Sequence, residues 1–457
     1  MRLPHLRWLA AVLCLIGLST GCATFHALPL DSRRAGPQRI DDIVVAASSM
    51  PVPELRAHRF DPSDGLDVTE VAMLAVANNP DLRVQRDDER IARAQAFAAG
   101  LLPDPQLSYE HDHPTSSQAD LTSAFNLGLT YDLGNLLTRS ARVASAQGNE
   151  REVHLKLLWS EWQTVAKART LFDDILALHA IEERLRTEKA ALAPLQQTIQ
   201  RALAAGDLTY DAASAGLNAA ADVDSSLADK RRQLDQARHD LHTLLGLDEH
   251  VALHLVGPPY MARSDAHDVS IALANMSLRR PDLRALQAGY ESQQQKLRAA
   301  ILAQFPAISV GFVRARDTGN VYTSGFSVAL SLPLFDGNRG NIAIERATRV
   351  KLRDAYGARV LSDRNDIDRL LADLRSFRAQ RDALMAHAAQ LARARQGAQR
   401  SYAEGLLDWP TYLSIRASSL AADSALAALE QNYHTQAIAL NALVGGDWPQ
   451  PTDISTE

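Results

Sequence analysis

Two hydrophobic periods alternate along the chain, and the alternation happens twice. Over about residues 67–78 and again 268–279, apolar positions recur at helical spacing and stop at the step Pro-Asp-Leu-Arg. That step starts a second helix, because proline in a first helical turn gives up an N–H that has no partner there anyway. These second helices are predicted to run to about residues 102 and 304. Pro103-Asp104-Pro105 and Pro306 then break the pattern, and the period falls from 3.6 to two. In the first half Phe125, Leu127, Leu129, Tyr131 and Leu133 alternate with Asn126, Gly128, Thr130 and Asp132. In the second half Phe326, Val328, Leu330, Leu332 and Leu334 alternate with Ser327, Ala329, Ser331 and Pro333, and Ile308, Val310 and Phe312 alternate with Ser309 and Gly311. With a weaker partner at 106–113 that carries Leu107 and Tyr109, the pattern predicts one hairpin within 105–134 and one within 306–335. Strands of about 9–11 residues suit either a tilted bilayer crossing or a half-buried soluble sheet.

Long helical segments follow each hairpin. From Asn135 to about Ala204 the only break signal is Pro194, and the second counterpart runs from about Arg339 to Glu404. At 1.5 Å per residue, roughly 70 residues reach roughly 105 Å. After Gly206 and Gly405 the chain turns back, and the returning helices end at Gly246 and Gly445. A second helix and a returning helix, placed end to end, are about as long as the long helix and are predicted to lie beside it.

The halves are copies of one unit. Asn78-Asn79-Pro80-Asp81-Leu82-Arg83 answers Arg279-Arg280-Pro281-Asp282-Leu283-Arg284 at a spacing of 201, and Asp132-Leu133-Gly134-Asn135 loosely answers Phe335-Asp336-Gly337-Asn338 at 203. Gly206 answers Gly405, and Leu244-Leu245-Gly246 answers Leu443-Val444-Gly445, both at 199. A period this long excludes a solenoid and indicates a duplicated domain. The expected divisions are a signal segment 1–21, an anchored extended segment 22–66, a first repeat 67–250, a linker 251–267, a second repeat 268–446 and a tail 447–457.

Composition changes this picture in three places. Aromatic residues are 5% of the chain while alanine is abundant, which favours long helices packed through small side chains. A net charge of −6 argues against nucleic acid as a partner. Cysteines occur only at 14 and 22, which excludes a disulfide framework.

The chain start has a basic region, Arg2 to Arg7, then the apolar run Trp8–Leu18 and the sequence Leu18-Ser19-Thr20-Gly21-Cys22. This is an export signal whose end resembles a bacterial lipobox, with Ser19 where leucine is usual. Cys22 is therefore the candidate acylated residue, an ordinary cleavage site being the alternative, and loss of residues 1–21 takes the formal charge from −6 to −8. By the same resemblance Ala23, in place of aspartate, favours the outer membrane.

Four strands cannot close a barrel, and an open sheet edge cannot face lipid. If the strands span a membrane, the chain must oligomerise. Three copies supply twelve strands around a lumen, which the Ala-rich helices would continue as a tube.

On its duplicated halves, its Pro-Asp-Leu-Arg helix starts, its two hairpins and the turns Ala205-Gly206-Asp207-Leu208-Thr209 and Glu404-Gly405-Leu406-Leu407-Asp408, the mature chain resembles the TolC-like outer-membrane factors. The resemblance implies a mainly α fold with a membrane β-barrel portion completed by trimerisation. It also implies an outer-membrane efflux duct in a Gram-negative bacterium, reaching through the periplasm. The two turns, Gly206, Asp207, Leu208 and Thr209 with Gly405, Leu406, Leu407 and Asp408, would contact a periplasmic adaptor that links the homotrimer to an inner-membrane transporter, usually proton-driven. Independently of that resemblance, both glycines suit left-handed helix ends, and Thr209 and Asp408 suit N-caps. Family members commonly carry acidic residues six and nine positions after the turn glycine. Here those positions hold Ala212, Ala215, Thr411 and Ser414, which leaves the periplasmic gate unassigned.

The fourteen histidines include His111 with His113, His239 with His242 and His250 with His254, but no third ligand accompanies any pair, so no metal site is assigned. The sequence has no nucleotide-binding, hydrolase or metalloprotease motif, so neither catalysis nor a cofactor is expected, and energy for export must come from a partner. A protein-secretion duct and a non-channel periplasmic coiled-coil spacer remain as alternatives. The hairpins speak against the spacer, which needs none.

Overall fold

The computed structural model describes residues 25–30, 37, 39–115, 121–261 and 266–445. Cys22, the segment 1–21 and the tail 447–457 lie outside the described residues. The chain divides at Gly36 into two units. Residues 25–30, in the first, are exposed and have no regular structure. All further description concerns the second.

After the short helix α1 (Pro53–Ala57) come α2 (Val68–Asn78), α3 (Pro80–Gly100), β1 (Gln106–Asp112), β2 (Ala124–Asp132), α4 (Gly134–Ala205) and α5 (Tyr210–Leu245). The same series then recurs as α6 (Ala266–Arg279), α7 (Pro281–Leu302), β3 (Ala307–Arg316), β4 (Tyr322–Ser331), α8 (Arg339–Ala403) and α9 (Trp409–Val444). Helix α2 opens on a capping box, in which Asp67 accepts from the N–H groups of Thr69 and Glu70 while Glu70 accepts from the Asp67 N–H. Pro80 and Pro281 start α3 and α7 as expected.

The long helix forms as expected, and two other expectations are corrected. Pro194 does not interrupt α4, which runs unbroken for 72 residues. Proline removes one backbone bond, and the packing of so long a helix outweighs that loss. Strand β4 ends at Ser331, short of Leu332 and Leu334, because Pro333 cannot donate to a ladder. Finally, α3 and α5 do lie along α4, and α9 along α8, but α7 lies between the repeats and packs on both α4 and α8.

The α4–α7 contact is built from small residues. Ser292 Oγ donates to the Ser145 carbonyl at 2.7 Å and lies 3.2 Å from Ser145 Oγ. A β-carbon on Gly148 would sit 3.0 Å from the Cα of Ser292, so only glycine fits without a shift. Ala285 and Ala288 close the same seam against Leu155.

The two hairpins join into one antiparallel sheet of order β1-β2-β3-β4, with β2 paired to β3 across the repeats. Register puts the apolar sets of all four strands on one face. Leu107 opposes Leu129, Leu129 opposes Phe312, and Phe312 opposes Phe326. Strands β1 and β4 are free edges within the chain.

The main core lies where α2, α4 and α5 meet the incoming segment, around Met50, Leu55, Leu74, Phe172 and Leu241. A second, smaller cluster joins α6, α7, α8 and α9 around Met276, Leu283, Ile367 and Leu440. Between the two is a polar junction. Arg169 of α4 donates to Glu54 Oε2 at 2.7 Å and to the Tyr260 hydroxyl at 3.0 Å, with its guanidinium 4.0 Å above the Tyr260 ring. Asp173, one turn on, accepts from the Tyr260 N–H at 2.8 Å and faces His434 of α9 at 3.9 Å.

Burial pushes the Asp173 carboxyl up to about 6. A raised carboxyl favours folding most where it is protonated in both states, and that advantage is lost as pH rises through about 6. Asp173→Asn should therefore raise the thermal midpoint at pH 8 and leave it nearly unchanged at pH 4, as read by circular dichroism of the purified protein. A stabilisation of equal size at both pH values would contradict the assignment.

Candidate functional site

The features on which a function can rest lie at the two ends of the long helices. At one end, α4 finishes in a Schellman turn. Gly206 takes a positive φ of 79°, its N–H donates to the Leu203 carbonyl, and the Asp207 N–H donates to the Ala202 carbonyl at 2.9 Å. Thr209 then caps α5 by accepting from the Ala212 N–H at 3.3 Å. The second turn repeats the device, with Gly405 at φ 74° and the Leu406 N–H donating to the Ser401 carbonyl at 2.8 Å. There Asp408 caps α9 by accepting from the Thr411 N–H at 2.8 Å, and hydrogen bonding from Thr411 holds its carboxyl below the ordinary value.

Gly206, Asp207, Thr209, Gly405, Leu406 and Asp408 are exposed, while Leu208 and Leu407 are half-buried. Leu406 is 77% exposed, an apolar side chain offered to solvent at a turn. No atom lies within 4 Å of a β-carbon built on either turn glycine, so both turns are sterically open.

Above the turns, one buried ion pair ties the two helical hairpins together. Arg416 of α9 donates from Nε and Nη2 to the two oxygens of Glu188 on α4, at 2.8 and 2.6 Å, and from Nη1 to the Tyr412 hydroxyl at 2.6 Å. Tyr412 in turn stacks on Tyr402 of α8, ring centroids 4.6 Å apart and planes within 2°. The pair sits in an apolar groove of about 380 Å³ between α4, α5 and α9, lined by Leu185, Val223, Leu413 and Leu420. Sequence reading passed over this contact, whose members are 228 residues apart. One signal was present: Arg416 is the only Lys or Arg in α9.

At the other end is the sheet, with its apolar face uncovered. Phe326 is 90% exposed and Val328 72%. The opposite face carries Ser108, Glu110, Asn126 and Ser327, so the two faces differ as lipid and water do. Among the described residues no helix is long and apolar enough to cross a membrane.

His111 and His113 are adjacent, their rings 4.5 Å apart, but His113 Nδ1 is 3.0 Å from Ser123 Oγ and no acidic or third histidine ligand joins them among the described residues. The cluster that does form, His58 with Asp67 and Glu70, was not foreseen. Its carboxylates already serve the backbone: Glu70 accepts from Asp61 and Asp67, and Asp67 from Thr69 and Glu70. That cluster clasps the start of α2.

Residues 272–446 match the family model described as outer membrane efflux protein. No curated protein matches the chain. Among solved structures, a membrane protein from Pseudomonas aeruginosa superposes with a TM-score of 0.73 at 20% identity, covering 94% of this chain and 99% of its own. The Campylobacter jejuni CmeC outer membrane channel gives 0.71 at 14%, covering 94% and 97%, and the Vibrio cholerae outer membrane protein VceC gives 0.69 at 18%, covering 84% and 97%. The resemblance to the TolC-like factors thus holds in the fold across nearly the whole chain, and in the family match over its second repeat.

Removing one partner of a buried pair strands the other charge, at a cost of about 3 kcal/mol or more. Glu188→Ala should therefore lower the unfolding midpoint markedly. Glu188→Leu with Arg416→Met, which leaves no charge behind, should restore most of it. A double variant as unstable as Glu188→Ala would show that the pair is not an isolated tie.

Proposed function

We propose that this chain, which carries the outer-membrane factor fold and whose second repeat matches the outer membrane efflux family, is the outer-membrane channel of a tripartite efflux system. The observation that carries the reading is the sheet: four strands, apolar on one face, with two unpaired edges and continuous with helices about 100 Å long. Such edges cannot remain open in lipid, and three copies close them into a twelve-stranded barrel. The bare side of α8 supports the same assembly. Only six of its 65 residues are buried within the chain, and Ile344, Leu361 and Met385 stand exposed along it.

In this reading the homotrimer conducts passively, carries no catalytic site or cofactor, and is anchored at Cys22 to the outer membrane. The turns at Gly206–Thr209 and Gly405–Asp408 meet a periplasmic adaptor, which couples the tube to an inner-membrane transporter of the proton-driven class that the family resemblance implies. The exposed Leu406 supports the docking role, because an apolar side chain at an open turn gains from being covered. A coiled-coil spacer would leave the sheet without a purpose.

The test is direct. The purified protein should run as a heat-labile trimer from outer-membrane fractions and give discrete single-channel conductance in planar bilayers; a monomer released by osmotic shock would overturn the reading. For the turns, Leu406→Arg should abolish efflux in cells while leaving trimer and conductance intact. Unimpaired efflux by that variant would remove the turn from the adaptor surface.

A further inference from the structure

The apolar face of the sheet is not uniform from end to end. At the end nearest the interstrand loops, register aligns His111, Phe125, Arg316 and Tyr322 in one row across all four strands. The next row on the same face contains Tyr109 and Arg314. Below it the face is apolar, through Phe312, Val310 and Ile308 and their partners on β4. Arginines therefore mark only one rim of this face, and no acidic residue shares the face among the described strand residues.

Arg316 is held in place. Its Nε and Nη2 donate to the Ser123 carbonyl at 3.1 and 2.7 Å, and its guanidinium lies 5.6 Å from the Phe125 ring centroid and 5.9 Å from that of Tyr322. Nη1 is left over. Arg314 is exposed and makes no hydrogen bond or ion pair among the described residues. A guanidinium on a lipid-facing strand costs about 2–4 kcal/mol at the bilayer midplane and about 0–1 near the interface. From Ile308 to Arg316 is eight strand steps, about 27 Å along the strand and about 20 Å along the normal at a tilt of about 40°. Exposed Leu332, Leu334 and Phe335 follow β4 at the Ile308 end, so the apolar stretch continues there and the arginines lie toward its loop-side boundary.

We propose that this rim binds phosphate groups of the glycolipid in the outer leaflet, with Arg314 and Arg316 as the ligating side chains. The proposal rests on the reading of the sheet as a barrel wall, and it adds the side and the chemistry of the lipid contact. Arginine suits phosphate because its planar fork offers paired donors, which Arg314 has free, while Arg316, held by Ser123 and the flanking rings, presents Nη1 at the interface. No strand residue of this face is cationic at the opposite rim, which fits a bilayer whose phosphate-dense leaflet lies on the loop side.

The full-length trimer, reconstituted in zwitterionic bilayers containing either bis-phosphorylated lipid A or its dephosphorylated form, tests this through the temperature of trimer dissociation. The wild type should dissociate several degrees higher with the phosphorylated lipid. The double variant Arg314→Gln, Arg316→Gln should lose that difference. Arg314→Gln alone, which breaks no bond within the chain, should lose roughly half of it, since independent contacts add. Equal midpoints for the wild type in both lipids, or a full preference kept by the double variant, would overturn the proposal. So would inorganic phosphate reproducing the shift in the dephosphorylated bilayer, which would assign the site to a free anion. Conductance in the same vesicles separates the two readings: conducting trimers without lipid preference overturn the phosphate site alone, whereas protein that neither inserts nor conducts overturns the barrel and the site with it.

Discussion

The rest of the structure depends on the close approach of α4 and α7. Helix α4 begins where β2 ends, and α7 ends where β3 begins, so fixing one helix on the other sets those two strands side by side. Gly148 and Ser292 allow the approach, and the Ser292 hydroxyl donating to the Ser145 carbonyl holds it. Without that seam the chain would be two hairpins on two separate helical bundles. With it, one four-stranded sheet and one continuous set of helices result. Small residues suit this role because dispersion contacts and backbone proximity replace the bulky core that a chain with 5% aromatics cannot build.

The duplication is conserved in plan and altered in chemistry at each junction. In the first repeat Asn78 donates to the Leu245 and Gly246 carbonyls and Asn79 to that of Leu244, so two amides hold the end of α5 against the start of α3. In the second, the matching positions are Arg279 and Arg280. Arg279 reaches the Gly445 carbonyl, while Arg280 is fully buried, donates to both oxygens of Asp282 and lies 3.0 Å from Asp363. Its guanidinium sits 5.0 Å from the Trp159 ring on α4, so the substitution turns a local cap into another link between repeats. Buried charges add little net stability as pairs, but they penalise every arrangement that separates them. Arg280, Arg169 and Arg416 each connect parts of the chain far apart in sequence, and together they specify which helices may be neighbours.

How much of this was legible in the sequence follows from the range of each interaction. The strand faces, the helix starts at Pro80 and Pro281 and the turn glycines were readable because each is set by residues a few positions apart. The sheet order was not, since β2 meets β3 through a seam formed between Ser145 and Ser292, 147 residues apart. Pro194 shows the opposite balance: its local penalty is real, but tertiary contacts along a 72-residue helix override it, so the length expected from the helical pattern holds. The tie at Glu188 was hidden because a glutamate on a mixed-charge helix looks solvated until its partner is known. The arginine rim was likewise out of reach, because single strands show Arg314 and Arg316 only as interruptions of an apolar period. Register across four strands turns them into a row.

The two ends of the molecule pose the same physical problem with different solutions. At the sheet, unpaired N–H and C=O groups along β1 and β4 demand a partner strand, and lipid cannot supply one. At the turns, Schellman bonds and caps engage the ends of the helices, and Leu406 is left exposed beside them. An unsatisfied edge must be closed permanently, whereas an open apolar turn can be covered and uncovered at little cost. On the function proposed above, this division suits a chain that is a stable wall in the membrane and a reversible joint in the periplasm. The ion pair of Arg416 and Glu188 stands between the two regimes, fixing the helical hairpins above turns that remain free to engage.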